Sequence, residues 1–228
     1  MMRLAIFISG SGTTAESIVR AGIKPVIVIS SRPDAGGIGK MKKLGIAVKV
    51  VNHSSELLPV LEKAGVDVIS QNGWLPLTPG NVIRKYKGKI INQHPGPLDP
   101  GRDMDFGGKG MYGRRVIAAR IAFCRLSGRD FWTEATVHHV TEGFDRGPII
   151  RVERLAIPKN SKSLVEITQK VANALLPLEH KNVITILKDY AARGKFMEYK
   201  RKIPLVGAKE KTVLEKSKKM AIELFSKG

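Results

Sequence analysis

The chain has 228 residues, with 39 Lys and Arg against 20 Asp and Glu, a formal net charge of +19. Its 43% apolar and 26% charged residues suit a globular core, and its single cysteine, Cys124, excludes intrachain disulfides and cysteine metal clusters. No apolar run is long enough to span a bilayer, and the first strand meets glycine too soon for a signal peptide, so a cytoplasmic protein is expected.

The positive field would attract phosphate-bearing partners and steer an anionic substrate. Residues Lys195–Gly228 hold ten basic residues against four Glu, so this stretch carries +6 and the remainder of the chain +13. The charge is therefore not confined to a tail. A nucleic-acid partner is the less favoured reading.

Arg3–Ser9 (RLAIFIS) reads as a strand, followed by Gly10-Ser11-Gly12-Thr13-Thr14 and a helix over Ala15–Ala21. Strand, glycine-rich turn and helix is an arrangement whose backbone N–H groups can hold a phosphate. Thr13 or Thr14 is the expected N-cap. Further strands are expected at Pro25–Ser30, Ile46–Val51, Val66–Ser70 and Lys89–Ile91, with helices at Ile38–Leu44, Ser55–Ala64 (capped by Ser54 or Ser55) and Val82–Tyr86. This alternation predicts an α/β fold with a mostly parallel, doubly wound sheet and helices on both faces.

The fifth strand runs into Asn92-Gln93-His94-Pro95. Asn92 and His94 are two apart, so an extended backbone turns both to one side at a strand's carboxyl end. That end is where open α/β sheets bind ligands. Asp99–Gly113 is a long glycine-rich loop. Its Asp99, Asp103 and Asp105 are read as solvated loop charges rather than metal ligands. A helix is expected over Arg114–Arg125, then strands at Glu134–Thr141 and Ile149–Ile157 forming a hairpin-like pair. His138 and His139 are adjacent, face opposite sides and are read as structural.

Ser161 or Ser163 should cap a long helix to Tyr190, kinked or divided by Pro177 and ended by Gly194. Lys209–Phe225 reads as an amphipathic helix, apolar on one side and lysine-rich on the other. The expected organisation is one domain over 1–194 and a basic C-terminal extension over 195–228.

Three stretches combine: Ser9–Thr13, Asn92–Pro95, and Ala135-Thr136-Val137-His138-His139-Val140-Thr141-Glu142-Gly143-Phe144-Asp145-Arg146-Gly147-Pro148-Ile149. In this order they resemble the folate-dependent formyltransferases, with the phosphoribosylglycinamide formyltransferases as the closest branch. The resemblance covers about residues 3–190. It implies a Rossmann-like formyltransferase fold and catalytic residues at Asn92, His94 and Asp145. It also implies 10-formyltetrahydrofolate as co-substrate and no metal.

By the same resemblance, Gly10, Ser11, Gly12 and Thr13 would hold the substrate phosphate. Trp74, Leu75, Leu77, Thr141, Glu142, Gly143 and Phe144 would flank the folate. The implied reaction is formyl transfer to the amine of glycinamide ribonucleotide, in purine synthesis, through a tetrahedral oxyanion. The alternatives are an amino sugar nucleotide or methionyl-tRNA as acceptor with the same donor, and a catalytically weakened RNA-binding relative. Several positions depart from the family pattern: Gly96-Pro97 after the histidine's proline, Tyr112 in the loop, Thr14 in the first turn, a shorter loop at Pro76, and Ala172 in the long helix.

Overall fold

A computed structural model describes residues 2–102, 104–159 and 163–226. Asp103 and Ser161 lie outside the described residues. The chain packs as two units. The first comprises Met1–Gln93, His139–Glu142 and Val183–Met197, and the second His94–His138, Gly143–Asn182 and Glu198–Gly228.

In the first unit β1 (Leu4–Ile8), β2 (Ile27–Ser30), β3 (Val48–Val50), β4 (Val68–Gln71) and β5 (Ile90–His94, to Gln93 within this unit) stand in the order β3-β2-β1-β4-β5. All the pairings are parallel. Between the strands run α1 (Thr13–Arg20), α2 (Gly36–Lys43), α3 (Leu57–Lys63) and α4 (Gly80–Lys85). Every residue of β1 is buried, as a strand covered on both faces requires. The core joins Phe7, Ile29, Leu57, Leu61, Ile69, Val82 and Ile90. The order of connection reverses at β1, with β2 on one side and β4 on the other, so the carboxyl ends of β1 and β4 form the switch point of the sheet.

Two caps differ from expectation. Gly12, not a threonine, is the N-cap of α1; it sits at φ 65° and makes no side-chain cap bond. A Cβ there would come within 2.6 Å of Gly37 Cα, so only glycine fits both the left-handed backbone and the close approach. Ser54–Glu56 form a separate 3-10 turn ahead of α3, closed by the His53 N–H donating to Glu56 Oε1 at 3.0 Å.

In the second unit α5 (Arg114–Ser127) is followed by β6 (Trp132–His139, to His138 within this unit) and β7 (Ile149–Ala156), which pair antiparallel. The pairing slips between Val137 and His138. α6 (Leu164–Arg193) supplies its first part to this unit and its last turns to the first. It is one helix with Pro177 inside, not two. Proline removes one N–H donor, and Val171 and Leu175 before it and Val183 after it are all buried, so packing carries the helix through. Gly194, at φ 71°, ends it with its N–H on Tyr190 O.

α7 (Lys211–Leu224) packs on α5, with Leu214 and Ala221 among Phe106, Val116, Ala119 and Phe123. Each large apolar side chain buried in this way contributes roughly 1.5–3 kcal/mol. The stretch leading to α7 is tied down by charge. Arg201 donates to Leu98 O at 2.9 Å and pairs with Glu134 Oε2 at 2.5 Å, with both side chains almost fully buried.

The glycine-rich loop is also built around charge, and its two described acids are not solvated. Asp99 and Asp105 are both buried. Asp105 accepts the N–H groups of Asp99 (2.8 Å) and Gly107 (3.0 Å), and Asp99 accepts from Arg102 (3.0 Å) and from the Leu205 N–H (3.3 Å). A loop this rich in glycine needs fixed acceptors for its backbone donors, and these two carboxylates supply them.

Candidate active site

β5 extends past Ile91 to His94, so Asn92 and His94 both belong to the strand and share its face. Asn92 is half-buried and His94 is only 3% exposed. In the second unit His94 Nδ1 lies 3.7 Å from Asp145 Oδ2, a separation at which charge acts without a direct hydrogen bond. His138 Nε2 lies 3.5 Å from Asp145 Oδ1. The Gly108 N–H donates to Asp145 Oδ2 at 2.9 Å. Asp145 itself is left-handed, at φ 56°, a conformation aspartate tolerates better than most residues.

The space around these groups is tight. A Cβ on Gly107 would fall 2.8 Å from Asp145 Cβ, and one on Gly96 would fall 2.2 Å from Val116 Cγ1 of α5. At Gly96, one of the positions that depart from the family pattern, α5 thus leaves no room for a side chain. The Thr136 hydroxyl donates to Gly96 O at 2.8 Å and fixes this turn. His94 Nε2 is buried and has no hydrogen-bond partner among the described residues. An imidazole nitrogen sealed from water and left unpaired costs free energy, which fits a group awaiting a polar partner from a substrate.

Burial pushes the His94 imidazole towards its neutral form, and Asp145 opposes this. The charges of His138 and Lys218 add to the depression, while Asp105 offsets part of it. Burial alone would raise the Asp145 carboxyl. The His94 and His138 imidazoles and the Gly108 N–H outweigh burial and hold it well below the usual carboxylate range. The arrangement is a fixed carboxylate between two imidazoles, with burial disfavouring the charged form of His94.

The remaining predicted residues lie mostly in the first unit. The Gly10–Thr13 turn follows β1, and the Trp74–Leu77 loop follows β4. The Leu75 N–H donates to Ser9 Oγ at 3.0 Å, and Ser9 Oγ lies 2.6 Å from Ser31 Oγ, so the two loops are fastened together. Gly10 and Ser11 are exposed. Trp74 is a core residue, its ring tilted against Phe7 at 4.8 Å, whereas Leu75 and Leu77 are half exposed. Glu142 Oε1 faces Arg84 Nη1 at 3.6 Å, and Thr141 is half-buried. In the second unit Gly143 and Phe144 are exposed. Tyr112 stacks under the Arg115 guanidinium, 4.6 Å from the ring centre.

The formyl transferase family model matches residues 2–187.

The chain belongs to the formyl transferase family.

Among its relatives is the chloroplastic phosphoribosylglycinamide formyltransferase of Arabidopsis thaliana, 29% identical over 204 residues, which span 81% of this chain and 64% of that protein. Another is the trifunctional purine biosynthetic protein adenosine-3 of Bos taurus, 28% identical over 194 residues, or 78% of this chain and 17% of that protein. The chain thus spans less than two thirds of the length of either relative. Among solved structures, glycinamide ribonucleotide transformylase 1 from Symbiobacterium toebii superposes with a TM-score of 0.66 at 26% identity, covering 83% of this chain and 88% of that one.

In this formyl transferase His138, which reads from sequence as structural, stands beside Asp145. Strand alternation says that His138 and His139 point apart, but not which of them meets Asp145. His139 instead meets the Phe196 ring of the first unit edge-on, at 5.7 Å. Gly107 and Gly108 likewise read from sequence only as loop glycines. Their signal was present as Gly-Gly directly after Asp105-Phe106, a pattern that allows close backbone approach.

Proposed function

We propose that this chain transfers a formyl group from 10-formyltetrahydrofolate to the amine of glycinamide ribonucleotide. The observation that carries the reading is the buried, unpartnered His94 Nε2 at the end of β5, backed by Asp145 and two residues from Asn92. The donor supplies the formyl carbon and a nitrogen leaving group. The residues present fit it: Leu75 and Leu77 offer exposed apolar surface beside the first-strand turn, and His94 Nε2 offers a dry polar atom.

His94, neutral at rest, accepts at Nε2 the proton that the attacking amine must lose as its new C–N bond forms. The imidazolium is then stabilised by the Asp145 carboxylate on its Nδ1 side. Together with the Asn92 amide it donates to the oxyanion developing on the formyl oxygen. As the old C–N bond breaks, His94 returns its proton to the departing nitrogen, so that one proton is moved and none is lost. The amine is the nucleophile, and the buried Cys124, whose thiol burial pushes up, takes no part. The Gly10–Thr13 turn would receive the substrate phosphate on its backbone N–H groups.

The decisive assay incubates the protein with 10-formyltetrahydrofolate and, separately, glycinamide ribonucleotide, an amino sugar nucleotide or charged initiator tRNA, and follows tetrahydrofolate release. Turnover with glycinamide ribonucleotide alone supports the reading. Turnover confined to either other acceptor, or no turnover with salt-sensitive RNA binding, refutes it.

A further inference from the structure

α7 lies beyond residues 2–187, the part matched by the family. Its lysines read from sequence as one solvated face. Lys211, Lys216 and Lys219 are indeed exposed. Lys218 is not: it stands four residues after Leu214 and three before Ala221, on the stripe that faces α5. Its Nζ donates to Gly107 O at 2.8 Å.

Gly107 C=O and Gly108 N–H are the two ends of one planar peptide group. The Gly108 end donates to Asp145 Oδ2 at 2.9 Å. An ammonium therefore sits at the oxygen end of this peptide and a carboxylate at its nitrogen end, each favouring the same orientation. A cation on the carbonyl also polarises the group and strengthens its N–H as a donor. The control has a purpose, because a peptide between two glycines turns over with little steric resistance. Turned over, it would aim its carbonyl oxygen at Asp145. Gly108 sits at φ 107°, a backbone region that residues with side chains rarely adopt, and neither glycine has a side chain to hold the peptide.

The rest of the setting holds both partners still. Asp105 Oδ1 accepts the Gly107 N–H. Arg115 of α5 donates to Phe225 O at 2.9 Å and Ser226 O at 3.0 Å beyond α7, while Arg129 pairs with Glu210 just before it.

We propose that Lys218 is a positioning residue for Asp145: it fixes the orientation of the Gly107–Gly108 peptide, so that the C-terminal segment completes the formyl-transfer centre. The proposal rests on the reading of Asp145 as part of that centre. Burial lowers the Lys218 ammonium from its ordinary value, with Asp105 and Asp145 opposing, which agrees with a lysine committed to an internal contact.

The test compares the full chain with Lys218→Met, which keeps the buried stem and removes the donor, and with Lys218→Arg, which keeps donor and charge. In Lys218→Met, hydrogen exchange of the Gly108 amide followed by NMR should quicken by about 10-fold, the loss expected for one such bond. kcat should fall by about the same factor with KM for the amine held within about two-fold and Tm unchanged. Lys218→Arg should recover both. Gly108 exchange and kcat both within two-fold of the parent in Lys218→Met would overturn the proposal, as would failure of Lys218→Arg to recover either. If the parent chain turns over no amine, the formyl-transfer reading fails separately, and Gly108 exchange alone still decides the role of Lys218.

Discussion

His138 Nε2 faces Asp145 Oδ1 at 3.5 Å, on the opposite carboxylate oxygen from the one that faces His94. The carboxylate is held from both sides, and each imidazole restricts how it can turn. His138→Phe keeps the ring and removes the nitrogen. It should lower kcat by about 10-fold, the cost of one lost polar contact, while leaving KM for the amine nearly unchanged. Steady-state kinetics with saturating formyl donor would show this, and an unaltered kcat would leave His138 a framework residue.

His94→Ala and Asp145→Asn remove the proton carrier and its charge partner. Each should cost about 100- to 10,000-fold in kcat, the range for a positioned acid–base group, with substrate affinity little changed. Near-parental turnover in either variant contradicts the assignment of these two residues. Isothermal titration with the amine substrate would establish that binding survives.

Acidification should destabilise the fold through both groups. Asp145 is held below its unfolded value of about 4, so its contribution is complete above that pH and is lost as pH falls towards the folded value. His94 is depressed by burial. The unfolded imidazole therefore binds a proton below about pH 6.5 where the folded one does not, which also lowers stability as pH falls. Thermal melts should show Tm declining from pH 7 to pH 5, with a shallower decline in His94→Gln. Equal slopes in the two proteins would argue against a neutral buried His94.

Gly96→Ala places a methyl group 2.2 Å from Val116 Cγ1. Overpacking of this kind costs typically about 1–3 kcal/mol, readable as a lower urea midpoint. Gly96→Ala combined with Val116→Ala should recover part of the loss, because the clash is specific to that pair. Additive destabilisation in the double variant would mean that the methyl group is accommodated elsewhere.

Gly12→Ala meets both a left-handed backbone, at φ 65°, and Gly37 Cα at 2.6 Å. The turn that precedes α1 must shift. KM for the phosphorylated amine should rise at least about 10-fold while KM for the formyl donor changes less, since only the first is proposed to use the turn's N–H groups. A proportional rise in both would remove the phosphate assignment.

Much of this architecture is legible in the residues themselves. Short apolar strands and their alternation with helices give the parallel order, and Ile90-Ile91-Asn92-Gln93-His94-Pro95 marks the end of β5 without any neighbour being known. Asp145 is different: only the resemblance singles it out, because nothing local distinguishes it from Asp99 or Asp105. Those two carboxylates read as solvated because no sequence rule shows the backbone donors of Gly107 and Leu205 that bury them. Gly96 looks like a departure until Val116 of α5 is seen against it. Lys218 was hidden among lysines of the same helix, although its spacing from Leu214 and Ala221 was there to be counted. Residues whose meaning depends on a distant segment stayed out of reach, and those set by their own strand or turn did not.

The buried Arg201–Glu134 pair has a practical consequence for anyone trimming this chain. Glu134 is fully buried on β6, and Arg201 reaches it from beyond the boundary that the sequence suggests at residues 194 and 195. A shortened protein ending at that boundary would strip Glu134 Oε2 of its buried charge partner Arg201, leaving the carboxylate to the largely exposed Arg154, whose Nε donates to Oε1 at 3.0 Å. Removing one partner of a buried pair costs roughly 3–5 kcal/mol where nothing replaces it; Arg154 offsets part of that here, and what is left still counts against the roughly 5–15 kcal/mol that holds a typical domain together. Cutting the chain at residue 194 would therefore cost the family-like part a buried ion pair that it holds with the segment beyond.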